Sequence, residues 1–255
     1  MENIDKTVLI AGKDLPFGSD IADGMALAGY NVIVTGNGET DRQSISASDI
    51  VISSWNRPSS ISARSLMLQA ETKFSQVDES ILYFDAELYA QQFPTYSAEE
   101  CTRAVDTMIL GYQYLCMEIL TRLEQRKVAG KIIFLVRDHL SMEEMIRSSS
   151  AKSGTVTPTG PLVSSAKSAF MAFAENTAAL MGDKSYVTIL LVSVDSKNEL
   201  SSKDSSLAAW LSEYLSALDK MPNKLTAKQS LKWIKAGANP PQTLISFVKG
   251  KFAKE

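Results

Sequence analysis

The chain has 255 residues, 45% of them hydrophobic, and a formal net charge of −3 from 26 basic and 29 acidic residues. Because it contains no basic run, the sequence does not indicate a nucleic-acid or membrane surface. No apolar run reaches the roughly 18 to 20 residues that a membrane-spanning helix needs. The two cysteines form no disulfide framework or metal-ligand pattern, and the acidic start MENIDKT does not resemble a signal peptide. We therefore expect a cytoplasmic protein without a metal.

The first unit of the chain predicts a strand, a helix and a second strand with a right-handed crossover. Val8 to Ile10 is a short apolar run, and apolar residues then repeat at helical spacing from Ile21 to Ala28. Gly29 ends this helix, and Val32 to Val34 forms a second apolar run. This order is typical of the start of a parallel α/β sheet.

The turn between the first strand and the helix reads AGKDLPFG. Together with the helix IADGMALAGY, it resembles the start of the short-chain dehydrogenase/reductase family, whose turn reads T-G-x-x-x-G-x-G. The resemblance implies a Rossmann-like three-layer fold in which this turn binds the pyrophosphate of a nicotinamide dinucleotide, with Gly12, Lys13 and Gly18 as candidate cofactor-binding residues. Pro16 replaces the family's middle glycine, fixes φ and removes an N–H donor.

Two further strands follow, at Asp49 to Ser53 and Ile81 to Phe84, with a helix from Ser59 to Phe74 between them. Asn37 stands where the family selects its cofactor, by an acidic residue for the ribose hydroxyls or a basic one for a 2′-phosphate. The fourth strand continues into the letters FDAE where the family has N-N-A-G. We expect these bulky and charged residues to collide with a bound dinucleotide.

The longest helical pattern runs from Ser97 to Lys127 and opens with a capping box of Ser97 and Glu100. Its apolar stripe is wider than packing against a sheet requires. The family uses this helix in a dimer interface, and Met108 stands where the family has an active-site asparagine. With the small residues of a second helix, Ser164 to Met181, the stripe predicts a homodimer or homotetramer.

Lys131 to Val136 is a continuous apolar run and predicts the fifth strand, in the middle of the sheet. The family's catalytic serine falls at the end of this strand, where this chain has Arg137, Asp138 and His139. His139 is the only histidine. Arg137 and His139 are therefore candidate catalytic residues, because α/β sheets place ligands at the carboxyl ends of their strands.

Residues 148–161 are rich in Ser, Thr, Gly and Pro and predict a loop. The stretch that follows resembles the family's active-site helix, and Lys167 is in register with its lysine. Four residues before that lysine the family has a tyrosine that donates or accepts the proton, and this chain has Val163. No tyrosine lies between Tyr114 and Tyr186, so no shift of the alignment restores it.

The remaining pattern predicts a sixth strand at Val187 to Val192, a helix at Leu207 to Asp219, and a last helix followed by a seventh strand at Thr243 to Val248. No linker, repeat or low-complexity tract divides the chain. We therefore expect a single domain over residues 1–255 with a central seven-stranded parallel sheet.

Three functional hypotheses follow from the missing tyrosine and serine. The main one is a non-catalytic member of the family, without a cofactor, that acts as an oligomeric scaffold or binds an unidentified protein partner. The alternative is a divergent reductase using NADP(H) or NAD(H), in which Lys13 contacts phosphate and Lys167 or His139 transfers protons. The third is a module that binds a small anion through Lys13, Arg137 and Lys167.

The crevice that a cofactor would occupy must be filled or wet if no cofactor binds. We expect the protein's own side chains to fill it, with Phe84 and Phe17 on the turn side and Val163 in place of the family's tyrosine. The rival expectation is an open pocket in which Arg137 and Lys167 converge on an anion.

Overall fold

The computed structural model describes residues 6–47, 50–126, 128–147, 157–221 and 225–240. Its strands are β1 Thr7–Ala11, β2 Asn31–Thr35, β3 Val51–Ser53, β4 Glu79–Asp85, β5 Gly130–Arg137, β6 Val187–Val194 and β7 Ile234–Lys235. They form one seven-stranded sheet in the order β3-β2-β1-β4-β5-β6-β7. Every neighbouring pair is parallel. The predicted α/β fold with a seven-stranded parallel sheet is therefore confirmed.

The central strands are buried because helices cover both faces of the sheet. β1 and β4 are buried at every position, and a strand without a solvent-facing side needs no polar residues in alternation. This is why the strands are recognisable in the sequence as continuous apolar runs.

The helices are α1 Ser19–Leu27, α2 Ser60–Phe74, α3 Ala86–Gln92, α4 Ala98–Val105, α5 Gly111–Arg126, α6 Met142–Arg147, α7 Pro161–Met181, α8 Asp204–Asp219 and α9 Ala227–Ser230. Short 3₁₀ helices span Gly38–Ser44 and Glu199–Ser201, and one π turn spans Asp106–Leu110. The side chains of Ser59, Asp85 and Ser97 accept backbone N–H hydrogen bonds at the starts of α2, α3 and α4. Such caps satisfy N–H groups that the first helical turn leaves without partners.

Two apolar clusters lie on opposite faces of the sheet and make the fold three-layered. α2, α5 and α7 cover one face, around Tyr112, Phe134 and Phe170. α1 and α8 cover the other, around Ile21 and Leu211. Successive strand residues point to opposite faces, so each strand contributes to both clusters.

The seventh strand of the sheet comes from an earlier stretch than expected. The predicted range, Thr243 to Val248, lies outside the described residues, and β7 lies in the segment predicted as the last helix, of which only α9 is helical. Trp233 packs against one core and Ile234 against the other. This alternation between faces is the pattern of a strand and not of a helix.

Three other boundaries differ from the prediction. The helix predicted from Ser97 to Lys127 contains the π turn, and its last residue lies outside the described part of the chain. So do Asp49, the predicted start of the third strand, and residues 148–156 of the predicted loop. α7 begins at Pro161, three residues before the predicted Ser164, because proline is well suited to the first turn of a helix.

The described residues contain neither a membrane-spanning helix nor a metal-binding cluster. Among the helices that the structure describes, none combines the length and the apolar character needed to span a bilayer. Within the same residues, no three His, Cys, Asp or Glu side chains are grouped to hold a metal ion. Cys101 and Cys116 are free thiols, the first exposed and the second buried.

Candidate functional site

The turn between β1 and α1 is shaped by contacts within the chain. Gly12 has a φ of +107°, a backbone angle that residues with a side chain rarely adopt. A Cβ atom there would lie 2.2 Å from the carbonyl oxygen of Tyr83 and 2.4 Å from Tyr112 Oη. A Cβ on Gly18 would lie 2.1 Å from the carbonyl oxygen of Lys13. Internal packing therefore requires both glycines, whether or not a ligand binds.

Some N–H groups of this turn are committed to the chain itself. Two of them, and the first N–H of α1, donate backbone hydrogen bonds: Leu15 N to Thr35 O at 2.8 Å, Gly18 N to Asp14 O at 3.2 Å, and Ser19 N to Pro16 O at 3.2 Å. Pro16 itself has no N–H. Because the family binds a pyrophosphate through free amides at this turn, these three amides as folded are not available to a dinucleotide.

Lys13, the candidate phosphate ligand of this turn, is buried and already neutralised. Its Nζ lies 2.8 Å from Asp85 Oδ2 and 2.5 Å from Asp204 Oδ2. The two carboxylates are 2% and 5% exposed, so solvent does not weaken these pairs. Lys13 is therefore neither the solvated lysine nor the free phosphate ligand that its position in a turn indicates.

Arg137, at the end of β5, is surrounded by carboxylates. Its Nη1 lies 3.5 Å from Asp85 Oδ2 and 3.6 Å from Asp204 Oδ1, and its Nη2 lies 3.2 Å from Glu87 Oε2. Its Nη2 also donates to the carbonyl oxygen of Ser201. Burial alone would lower the pKa of Arg137, but the carboxylates, Asp85 first among them, raise this pKa above its ordinary value. Arg137 therefore stays charged and cannot act as a proton donor.

His139 and Lys167 lie on the outer side of the same region. His139 Nε2 is 2.8 Å from the carbonyl oxygen of Thr157, and Lys167 Nζ is 2.7 Å from Asp138 Oδ1. Lys167 thus pairs with Asp138, while Arg137 pairs with other carboxylates. The expected convergence of Arg137 and Lys167 on an anion is not present.

A cleft of about 320 Å³ lies at the carboxyl ends of β5 and β6. Its lining residues are Glu87, Arg137, Asp138, His139, Leu140, Ser196 and Ser201. Of the catalytic candidates, Arg137 and His139 line this cleft, and Lys167 reaches it through its pair with Asp138. Gly12 and Gly18 do not line it.

Of the three apolar side chains expected to fill the crevice, two are buried. Phe84 and Val163 are fully buried, and both belong to the same apolar core. Phe17 is 55% exposed and does not close the turn side.

Arg57, a residue that the sequence did not single out, lies against the β1–α1 turn. Its Nη2 lies 2.9 Å from the carbonyl oxygen of Gly12 and 2.7 Å from Asp14 Oδ2. Its guanidinium also lies over three aromatic rings, with ring centres at 4.9 Å for Trp55, 5.7 Å for Tyr89 and 5.8 Å for Tyr112. Such stacking is typical of a guanidinium held in one orientation.

The π turn between α4 and α5 lies against Arg57. The carbonyl oxygen of Thr107, inside this turn, lies 3.3 Å from Arg57 Nη1. A Cβ on Gly111 would lie 2.7 Å from Arg57 Cβ. Gly111 in the middle of a long helical pattern was the one sequence signal of a close approach, and it does not say which residue approaches.

Two carboxylates lie at the carboxyl end of β2. The position at which the family selects its cofactor is Asn37 in this chain, and it is neither acidic nor basic. The turn places Asp14 there, and it accepts a hydrogen bond from Thr35 Oγ1. Asp41 Oδ2 accepts from the backbone N–H of Asn37 at 2.6 Å. The acidic groups are thus supplied by residues outside the expected position.

Comparison with known proteins is informative at the level of structure. No protein-family model matches the sequence, and no curated protein does either. A 3-ketoacyl-(acyl-carrier-protein) reductase from Brucella melitensis complexed with NADH is 14% identical, covers 91% of this chain and 97% of its own, and has a TM-score of 0.57. A short-chain type dehydrogenase/reductase from Mycobacterium marinum is 16% identical, with coverages of 92% and 96% and a TM-score of 0.59. An oxidoreductase of the same family from Aeromonas hydrophila is 13% identical, with coverages of 87% and 95% and a TM-score of 0.63.

These comparisons correct the main functional hypothesis. The similar structures are dehydrogenases and reductases, and one of them holds NADH. The prediction of a non-catalytic scaffold is therefore wrong on this comparison, and the alternative of a divergent reductase agrees with it better. The resemblance detected in the sequence is confirmed for the fold, which is the fold of solved short-chain dehydrogenases/reductases.

Proposed function

We propose that this chain is a divergent short-chain reductase that transfers hydride between a nicotinamide dinucleotide and a small carbonyl compound. The observation that carries the proposal is the cleft at the carboxyl ends of β5 and β6, in a fold matched over 91% of this chain by a reductase solved with NADH. Open α/β sheets bind their ligands at that end of the strands. The proposal covers both NADH and NADPH.

His139 is the side chain of the cleft best suited to exchange a proton. A carbonyl oxygen can only accept, so His139 Nε2 carries the hydrogen that Thr157 accepts, and Nδ1 is left to exchange a proton, which the imidazolium form gives to the substrate oxygen. Val163 in place of the family's tyrosine means that the proton must come from another group. His139 lines the cleft and is assigned this role.

The charges around the cleft favour an uncharged substrate. Arg137 pairs with three carboxylates, and an anion would have to compete with all of them. Lys167 is likewise taken by Asp138. The hypothesis of a small anionic ligand therefore gains no support here, and a neutral aldehyde or ketone suits the cleft better.

Titration of the purified chain with NADH and NADPH, followed by nicotinamide fluorescence, tests the first half of the proposal. We expect at least one of them to bind with a Kd below about 1 mM, which corresponds to about −4 kcal/mol. The same protein should then consume that cofactor only when a small aldehyde or ketone is added. Lack of binding by both dinucleotides would refute the proposal.

The role of His139 is tested by His139→Asn. We expect kcat to fall about 100-fold or more, as for loss of a general acid, while the Kd of the dinucleotide stays unchanged. Asn176→Ala, on the exposed side of α7, is the control and should keep full activity. An unchanged kcat in His139→Asn would assign the proton to another group.

The proposed setting is the cytoplasm. Cys101 and Cys116 are free thiols, and free thiols persist in reducing compartments. This location, and the single domain over residues 1–255, stay predictions.

A further inference from the structure

Several donors at the β1–α1 turn are bonded within the chain, and a cation lies directly against the turn. The N–H groups of Leu15, Gly18 and Ser19 are bonded within the chain, and Lys13 is held by two buried carboxylates. We propose that Arg57 is the residue that binds a phosphate group of the dinucleotide, and that Asp14 occupies its place until the ligand arrives. This inference rests on the proposed function and names the residue that would make it possible.

The position of Arg57 is set by neutral groups. Its Nη2 lies 2.9 Å from the carbonyl oxygen of Gly12, so the guanidinium is in contact with the turn itself. Tyr89 Oη accepts from Nη1, and Thr107 O lies 3.3 Å from the same nitrogen. Because these neutral acceptors and the aromatic rings hold the guanidinium, it keeps its orientation when its carboxylate partner leaves.

Asp14 is the exchangeable member of this group. Among the residues that the structure describes, it is the only carboxylate paired with Arg57, and its side chain is 38% exposed. The carboxylates that hold Lys13 are only 2% and 5% exposed. A phosphate can therefore reach Arg57 by displacing Asp14 into solvent, whereas Lys13 offers no such route.

The exchange replaces one anion by another. A guanidinium left buried without an anion is costly, and here it is paired before and after the ligand binds. The donor released to a phosphate oxygen is the Nη2–H that Asp14 Oδ2 accepts, because the other hydrogen bonds of Nη1 and Nη2 go to Tyr89, Thr107 and Gly12. To leave, Asp14 also gives up the hydrogen bond that it accepts from the buried Thr35 Oγ1.

The test compares the Kd of NADH and of NADPH for the wild-type chain, Asp14→Asn and Arg57→Met. Asp14→Asn removes the competing charge and should tighten binding about 10-fold or more, whereas Arg57→Met should weaken it by at least the same factor. Glu100→Gln, which removes the carboxylate paired with Arg103 on α4, is the matched control and should leave both Kd values unchanged. A larger gain for NADPH assigns the 2′-phosphate to Arg57, and an equal gain assigns the pyrophosphate.

Each result separates this inference from the proposed function. If the wild-type chain binds a dinucleotide but Asp14→Asn binds no better, the exchange is refuted while the reductase proposal stands. Binding by none of the proteins refutes both. If Arg57→Met fails to fold, the Kd of Asp14→Asn still tests the exchange. This variant should fold, because Asn has nearly the same shape as Asp and the Asp14 side chain is partly exposed.

Discussion

Lys13 and Arg57 are two buried cations near the β1–α1 turn, and their carboxylate partners differ in exposure. Lys13 stands in the turn and has the better sequence argument as a phosphate ligand, but two nearly unexposed carboxylates hold it. Arg57 lies 45 residues from Gly12 in the chain, yet its guanidinium contacts the carbonyl oxygen of that glycine. The availability of a charge for a ligand is therefore decided by the exposure of its counter-ion.

Gly12→Ala should destabilise the protein strongly. The positive φ alone disfavours alanine by about 1 to 3 kcal/mol, and the new Cβ would meet a backbone carbonyl at 2.2 Å. We expect the free energy of unfolding, measured by urea denaturation, to fall by about 3 kcal/mol or more. Gly160→Ala is the control, because nothing lies within 4 Å of its added Cβ, and it should cost at most about 1 kcal/mol. Equal losses in the two variants would contradict this explanation.

At the scale of elements, the π turn between α4 and α5 contacts the side chain of Arg57, which belongs to a different segment of the chain. The π turn Asp106–Leu110 lies between α4 and α5, and its Thr107 carbonyl lies within reach of Arg57. π turns inside α-helices are frequently found at functional sites. The interruption of this helix and the position of Arg57 therefore belong to one arrangement.

The carboxyl end of α8 is attached to the amino ends of β1 and β5 through Asp219. Lys131 Nζ lies 2.6 Å from Asp219 Oδ1, and Lys6 pairs with its other oxygen. Burial alone would raise the pKa of Asp219, but hydrogen bonds from Lys131 and Lys6 bring it below its ordinary value. A folded-state pKa below the unfolded one stabilises the protein above the unfolded pKa of about 3.9, and this contribution is lost as the pH falls through the folded pKa.

We therefore expect the free energy of unfolding of the wild-type chain to fall more steeply below about pH 4 than that of Asp219→Asn. At pH 7 the variant should be less stable by about 1 kcal/mol or less, since the carboxylate is 38% exposed. Glu143→Gln removes one partner of an exposed pair with Arg147 and should leave the acid limb unchanged. If the free energy of unfolding fell equally steeply below about pH 4 in wild type and Asp219→Asn, the proposed stabilisation by Asp219 would be ruled out.

At the scale of the whole molecule, self-association is the property that the helices α5 and α7 predict. Met117 on α5 is 51% exposed and Leu180 on α7 is 71% exposed. Light scattering at micromolar concentration should give about two or four times the chain mass of 27.8 kDa. Leu180→Glu should shift the protein towards the monomer, whereas Leu27→Glu, at an equally exposed position on α1, should not. A wild-type monomer would disprove the prediction.

Motifs in the sequence showed the family that the fold resembles, and the sequence by itself also determined the first six strands, the longer helices and the parallel sheet. These follow from local periodicity, because a strand covered on both faces is an apolar run and an amphipathic helix repeats every 3.6 residues. It also predicted that Val163 stands where the family has its tyrosine. The inference from that gap to a non-catalytic scaffold was wrong on comparison with the solved reductases, because a missing residue does not reveal whether another group takes its place.

Only the tertiary structure decided which charges meet and which are free. Lys13 and Asp204 are 191 residues apart in the chain, and Arg57 and Asp14 are 43 apart, yet each pair is in contact. The seventh strand was likewise fixed by its pairing with β6 and not by its own pattern. Periodicity reports what a residue's near neighbours require, whereas ion pairs and edge strands are set by residues that only folding brings together.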